Sequence, residues 1–194
     1  KKKLDELGAN YRKYSEDEML EKTSDYLSQE KAVGWFQGRM EFGPRALGNR
    51  SILGDPRSEN TQKNLNLKIK YRESFRPFAP SIIEEDLSDW FDSDEKSPYM
   101  LLVQQVKKNK QINNIDSKNL FGIDKLNVKR SVVPAITHVD FSARIQTVAS
   151  ATNPLYYKLL KLFKKKTGVP MLVNTSFNIR GEPIVNSIED AFKC

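Results

Sequence analysis

The chain has 194 residues, 38% hydrophobic and 29% charged, with a formal net charge of +7 and a pI of about 9.3. That composition fits a folded domain with chain enough for one core or slightly more, and the mild positive excess attracts polyanions such as nucleotides, phosphates and RNA without choosing among them. A single cysteine, Cys194, excludes an intrachain disulfide and argues against a cysteine-built metal site. No apolar run reaches the roughly 18 residues of a membrane span, and the lysine-rich start lacks the apolar stretch of a signal peptide, so a cytoplasmic protein is expected. The chain does not open on Met and closes on a helix just begun at Ser187. It reads as one domain, 1–194, cut from a longer protein.

In chain order, Ser15 and Glu18 form a capping box for a helix to about Leu27. Ala32–Phe36 reads as a buried strand, and Ser51–Gly54 as a short one. Ser58 caps a helix to about Lys68, with Leu65 and Ile69 on one face. Phe78–Ile83 looks like a strand interrupted by Pro80, Asp86–Phe91 like a short helix, and Met100–Val106 like a strand. Residues 107–130 are rich in Lys, Asn and Asp and lack periodicity; they read as an insertion or mobile loop carrying at most a short helix. Ala143–Val148 alternates like a strand. Asn153-Pro154 opens a helix with Leu155, Leu159, Leu162 and Phe163 inward, ended by Gly168. Val169–Val173 is an apolar strand running into a polar loop at Asn174. Ser187 and Asp190 open a last helix. The expected fold is α/β (α+β), a mixed twisted sheet with packed helices.

Between the first two strands, Gly34, Gly38, Gly43 and Gly48 alternate with Arg39, Arg45 and Arg50. Glycine lets backbone approach a ligand, and arginine meets phosphate or carboxylate with a planar fork. Trp35, Phe36, Phe42 and Leu47 argue against a merely solvated loop. The loops together carry Arg45, Arg50, Lys70, Arg72, Arg76, Arg144, Asn178 and Arg180, which would hold a highly charged anion if they converge. The chain lacks a P-loop and a dinucleotide-binding glycine fingerprint. His138, the one histidine, stands two residues from Asp140; the pair reads either as an oriented acid–base couple or, more simply, as a structural histidine.

The segments Gly34–Leu53, Leu65–Ser81, Thr137–Asp140 with Ala143–Val148, and Asn174–Val185 resemble the C-terminal part of the NodU/CmcH/TobZ carbamoyltransferases. The likeness covers nearly the whole chain outside 107–130. It implies a YrdC-like domain that makes carbamoyl-adenylate from carbamoyl phosphate and ATP. A Kae1-like N-terminal domain then passes the carbamoyl group to an acceptor hydroxyl. It implies catalytic roles for Lys70 and Arg76, and substrate binding by Arg45, Lys70, Arg76, Arg144, Asn178 and Arg180. ATP arrives with Mg²⁺, and a protein-bound metal ion is expected only in the N-terminal domain. The expected partners are the two substrates and that domain. No membrane and no nucleic acid are expected, and a homo-oligomer is left open. An RNA-binding YrdC-like module, or a structural lid without catalysis, is the alternative reading.

Overall fold

Mixed strand pairing organises the computed structural model, which describes residues 2–112, 121–126 and 128–194. In chain order come α1 (Lys2–Glu6), α2 (Glu16–Ser28), β1 (Val33–Phe36), β2 (Arg50–Gly54), α3 (Glu59–Asn64), β3 (Ala79–Ile83) and α4 (Leu87–Trp90). Then follow β4 (Val103–Gln105), β5 (Ser142–Arg144), β6 (Gln146–Val148), α5 (Pro154–Thr167), β7 (Met171–Ser176) and α6 (Ile188–Lys193). One sheet runs β1-β2-β7-β3-β6, and β4 and β5 form a second, two-stranded one. Pairing is antiparallel except between β3 and β6. The fold is thus a mixed α/β one.

The helix boundaries follow from their caps. Ser15 Oγ accepts from Glu18 N, and the Glu18 carboxylate accepts from Ser15 N, closing the expected capping box. Asn153 caps α5 with Pro154 in its first turn, and Gly168 ends it at φ 76°. Ser187 and Asp190 form a second capping box. Helices α2 and α5 pack together over the main sheet. Leu20 and Leu27 of α2, and Tyr156, Leu159, Leu160 and Phe163 of α5, join Ile52, Leu53, Ile82, Leu172 and Val173 in one core. Each such fully buried large side chain contributes about 1.5–3 kcal/mol.

Four expectations need correction. The helix capped by Ser58 does not run uniformly to Lys68: after Asn64 it widens to a π-helix over Leu65–Ile69. The Lys70 amide then bonds to Leu65 O, and Asn66 turns inward to donate to Ser74 O and Arg76 O. Pro80 does not interrupt β3, because the pairing with β6 begins only at Ser81. The strand expected over Met100–Val106 shrinks to Val103–Gln105, because Met100 takes φ 57° and Ser97 Oγ draws off the amides of Leu101 and Leu102. Ala143–Val148 splits at Ile145, one half pairing with β4 and the other with β3. Of the region 107–130, Lys108–Lys110 and Gly122–Lys125 form short 3-10 turns. Residues 113–120 and 127 lie outside the described residues, and so does that part of the insertion reading.

The loop between β1 and β2 is wound around one carboxylate. Glu41 Oε1 accepts from the amides of Leu47 (2.7 Å), Asn49 (2.8 Å) and Arg50 (3.4 Å). Gly48 sits at φ 106°, and a Cβ there would stand 2.8 Å from Tyr156 Cε1 and closer still to Cδ1. Tyr156 is fully buried and cannot retreat. Gly48→Ala therefore combines backbone strain with overpacking, and equilibrium urea unfolding should show a loss of about 3 kcal/mol. Phe42, expected to be gathered in, is instead fully exposed.

Candidate functional site: a cationic cleft at the ends of β5 and β7

Three strand ends and the glycine–arginine loop meet around a cleft of about 200 Å³. The loop gives Arg45 and Ala46, the approach to β3 gives Arg72 and Phe78, the end of β5 gives Arg144, and the end of β7 gives Asn174 and Ser176. The wall is built by side-chain amides acting across the sheet. Asn174 Nδ2 donates to Ala46 O (3.0 Å), to Ser81 Oγ (2.9 Å) and to Gln146 Oε1 (2.9 Å). Gln146 Nε2 donates to Leu47 O at 2.8 Å. Two sheet residues thus hold the loop segment that presents Arg45.

Among the described residues, the arginines in this cleft lack carboxylate partners. Arg144 Nε is buried without a hydrogen-bond partner, and its Nη2 reaches only Met100 Sδ, at 3.9 Å. Burial lowers its pKa, and Arg45 lowers it further. Arg72 lies over the Phe78 ring, 4.8 Å from its centre, and its Nε donates to Asn66 Oδ1 at 2.6 Å. Burial and then Arg76 lower its pKa, with Glu73 opposing. Among the described residues, none of Arg45, Arg72 and Arg144 makes an ion pair. Guanidinium groups gathered without a directly paired carboxylate repel one another until an anion enters.

Arg50 shows the contrast. Its guanidinium donates to the carbonyls of Gln37, Asn49, Gly38 and Asn186 and stacks 3.5 Å from the Phe36 ring centre. Its Nε, like that of Arg144, is buried without a partner, but both of its Nη groups are taken up by carbonyls, so it acts as a buried strut of the loop.

Lys70 stands behind the cleft rather than in its lining. It is 9% exposed. Its Nζ donates towards Ser176 O (2.6 Å) and Oγ (3.2 Å), and towards Asn178 O (3.0 Å) and Oδ1 (2.7 Å). Four neutral oxygens surround the ammonium, and burial, then Arg72, bring its pKa down to about 8, with Cys194 opposing. The π-helical turn just before Lys70 ends here; one-turn π segments often mark functional sites. Asn178 Oδ1 also accepts from Ser176 Oγ, and its Nδ2 donates to Glu182 O.

The other candidate residues lie apart. Arg76 lines a different cleft beyond Pro77 and pairs with Glu73 at 2.8 Å. Arg180 Nη1 donates to Tyr71 O at 2.7 Å and lines neither cleft. So Arg45 and Arg144 share one cleft, Lys70 and Asn178 bond to each other behind it, and Arg76 and Arg180 lie outside its lining, both near Glu73. The His138–Asp140 couple is not assembled. Asp140 Oδ1 accepts from Ser142 N (3.1 Å) and Oγ (2.7 Å), while burial lowers the His138 pKa, with Asp140 raising it and Arg144 lowering it.

Sequence reasoning counted Arg72 among the loop cations without carrying it into the site, and read Asn174 and Ser176 as loop. All three line the cleft. The available signal was a polar residue extending an apolar strand, since Asn174 is 2% exposed and pairs in register with Leu53 and Ala79.

Comparison with known proteins gives this geometry a family. The Carbamoyltransferase C-terminus model matches residues 24–194. An uncharacterised protein of Synechocystis sp. is 57% identical over 96% of this chain and 30% of its own length. Nodulation protein NolO of Bradyrhizobium diazoefficiens is 44% identical over 90% of the chain and 29% of its own length. The 3'-hydroxymethylcephem-O-carbamoyltransferase of Amycolatopsis lactamdurans is 40% identical over 86% of the chain and 28% of its own length. The chain spans less than a third of each of these relatives. The chain belongs to the carbamoyltransferase C-terminus family.

Proposed function

We propose that this domain binds carbamoyl phosphate and ATP and joins them into carbamoyl-adenylate, which the Kae1-like N-terminal part of the full-length protein transfers to an acceptor hydroxyl. The observation that carries the reading is the set of three guanidinium groups, Arg45, Arg72 and Arg144, around one small cleft without a carboxylate partner among the described residues. Support for the carbamoyl group comes from the printed activity of the cephem relative, an O-carbamoyltransferase.

The chemistry is a matter of charge and position. Loss of phosphate from carbamoyl phosphate to water leaves carbamate. A carbamate oxygen attacks the α-phosphorus of ATP; the bond from that phosphorus to the bridging oxygen breaks, and pyrophosphate leaves with the electron pair. Fixed guanidinium groups stabilise the charge that moves to the departing oxygens. Arg45, Arg72 and Arg144 hold the small phosphate. Lys70 fixes the end of β7, so that Ser176 stays at the cleft, and adds positive potential behind it. Mg²⁺ travels with ATP on its phosphates; among the described residues, no group of three or more His, Cys, Asp or Glu side chains could hold a metal ion. No helix of the described residues is long and apolar enough to cross a membrane, and substrates of this kind belong to the cytoplasm.

Isothermal titration of the full-length protein with carbamoyl phosphate tests the reading. Saturable binding in competition with inorganic phosphate is expected. Absence of saturable binding would overturn the assignment.

A further inference from the structure

Two segments far apart in sequence supply the rim of the cationic cleft. One is the tip of the glycine–arginine loop, residues 42–45, of which Pro44 and Arg45 line the cleft; the other carries Met100 and meets it beside Arg144. The tip is held only at its ends. Before it, the Glu41 carboxylate accepts from the amides of Leu47, Asn49 and Arg50, and Arg39 O accepts from Asn49 Nδ2. After it, Ala46 O and Leu47 O are held by Asn174 and Gln146. Between these anchors the backbone of residues 42–45 makes no hydrogen bond to other backbone among the described residues. All four residues are exposed, and a Cβ on Gly43 would meet nothing within 4 Å. A short segment with fixed ends, open surroundings and few bonds is the kind that moves as a unit.

The rim also carries apolar surface without cover. Phe42 is fully exposed, a costly position for a ring of its size. Tyr99 and Leu101 stand on either side of Met100, and both are more than half exposed. Val103, exposed as well, pairs in register with Arg144. Charge opposes bringing the two segments together, since Arg45 lies close enough to Arg144 to lower its pKa. A bound anion neutralises both guanidinium groups and removes that opposition. An extended residue spans about 3.3–3.6 Å, so a four-residue tip reaches several ångströms from its anchors, enough to cross the mouth of a cleft of about 200 Å³.

We propose that residues 42–45 are a lid that closes over an anion held by Arg45 and Arg144, with the Phe42 ring settling on Leu101 and shutting out water. The inference rests on the function proposed above, and gives that site a gate. A carbamoyl group joined to AMP is a mixed anhydride that water cleaves. A closed lid keeps water from it until transfer, and opening releases the product.

The test uses the full-length protein and carbamoyl phosphate. Phe42 and Leu101 are exposed, so Phe42→Ser, Leu101→Ser and the double variant should fold. Each single variant is expected to weaken binding about five- to tenfold, and the double variant no more than either single one, because both remove the same contact. Phe42→Trp adds an optical readout: its emission, taken as the difference from the wild type, should shift to the blue as carbamoyl phosphate saturates. Saturable binding with no blue shift, or with single-variant effects that are absent or simply add, overturns the lid and leaves the proposed function standing. Emission already blue without ligand means that another part of the full-length protein covers Phe42, which also overturns the lid. Absence of saturable binding in the wild type overturns the proposed function itself, and the lid with it.

Discussion

Arg144→Ala raises the dissociation constant for carbamoyl phosphate by about 10- to 150-fold, the equivalent of the roughly 1.5–3 kcal/mol that a hydrogen bond to a charged group contributes. The prediction rests on the state of this side chain without ligand. Its Nε is buried and unpartnered, Arg45 already depresses its pKa, and no carboxylate among the described residues neutralises it. A bound phosphate would supply the missing acceptor and relieve the repulsion together. The same argument gives a second sign. Removing Arg144 removes a source of repulsion in the unliganded protein, so unfolding should show unchanged or slightly increased stability while affinity falls. A structural arginine would behave in the opposite way, as Arg50 should: Arg50→Ala abandons four carbonyl partners and would destabilise the fold. Titration calorimetry and urea unfolding of the same Arg144→Ala preparation separate the two cases. Unchanged affinity together with lost stability would show that Arg144 is a strut.

Lys70→Met should destabilise the fold more than either Gly48→Ala or Arg144→Ala. Methionine keeps the length of the chain but leaves the carbonyls of Ser176 and Asn178, and Asn178 Oδ1, without the ammonium that holds them. A buried acceptor left unmade costs about 1–3 kcal/mol, and several are left at once, so a loss of about 3 kcal/mol or more is expected at pH 7. The pH dependence has a definite sign. In the folded protein the ammonium loses its proton near pH 8; in the unfolded chain it does so near the usual lysine value of about 10.4. Between these values the unfolded state binds more protons, so the wild type gains stability from this group as pH rises, by on the order of 3 kcal/mol in all. Lys70→Met lacks that gain, and the stability difference between the two proteins should widen from pH 8 to pH 10. Anion affinity moves the other way: it should fall in the wild type as pH passes 8, because the potential behind the cleft weakens. Urea unfolding of both proteins across that range is the check. A difference that stays constant with pH would mean that Lys70 titrates as an ordinary exposed lysine.

The elements that sequence disclosed were those with local causes. The capping boxes at Ser15 and Ser187, the Asn153-Pro154 opening and the Gly168 stop each depend on residues within a turn of one another. The sheet order did not follow from such signals. That β7 lies between β2 and β3, and that Ile145 carries the chain from one sheet to the other, are decided by packing between distant segments. The π-helical turn at Leu65–Ile69 was hidden for a related reason: its cause is Asn66 reaching carbonyls of Ser74 and Arg76, a contact outside any helical pattern. In the site, residue type pointed to anion binding, since arginine forks gathered in glycine-rich loops suit a phosphate or carboxylate. Which arginines share a cleft was not legible. Arg72 and Arg76 are four apart, and only the path of the chain through Pro77 sends them to different sides. Gly48 read as room for a ligand, whereas the structure gives that room to Tyr156.

The central claim, that this domain activates a carbamoyl group as its adenylate, is tested most directly by isotope exchange between pyrophosphate and ATP in the full-length protein. Exchange should depend on carbamoyl phosphate, should proceed without any acceptor hydroxyl, and should be lost in Arg144→Glu. Carbamoyl transfer to an acceptor by a protein that shows no carbamoyl phosphate-dependent exchange would contradict the account.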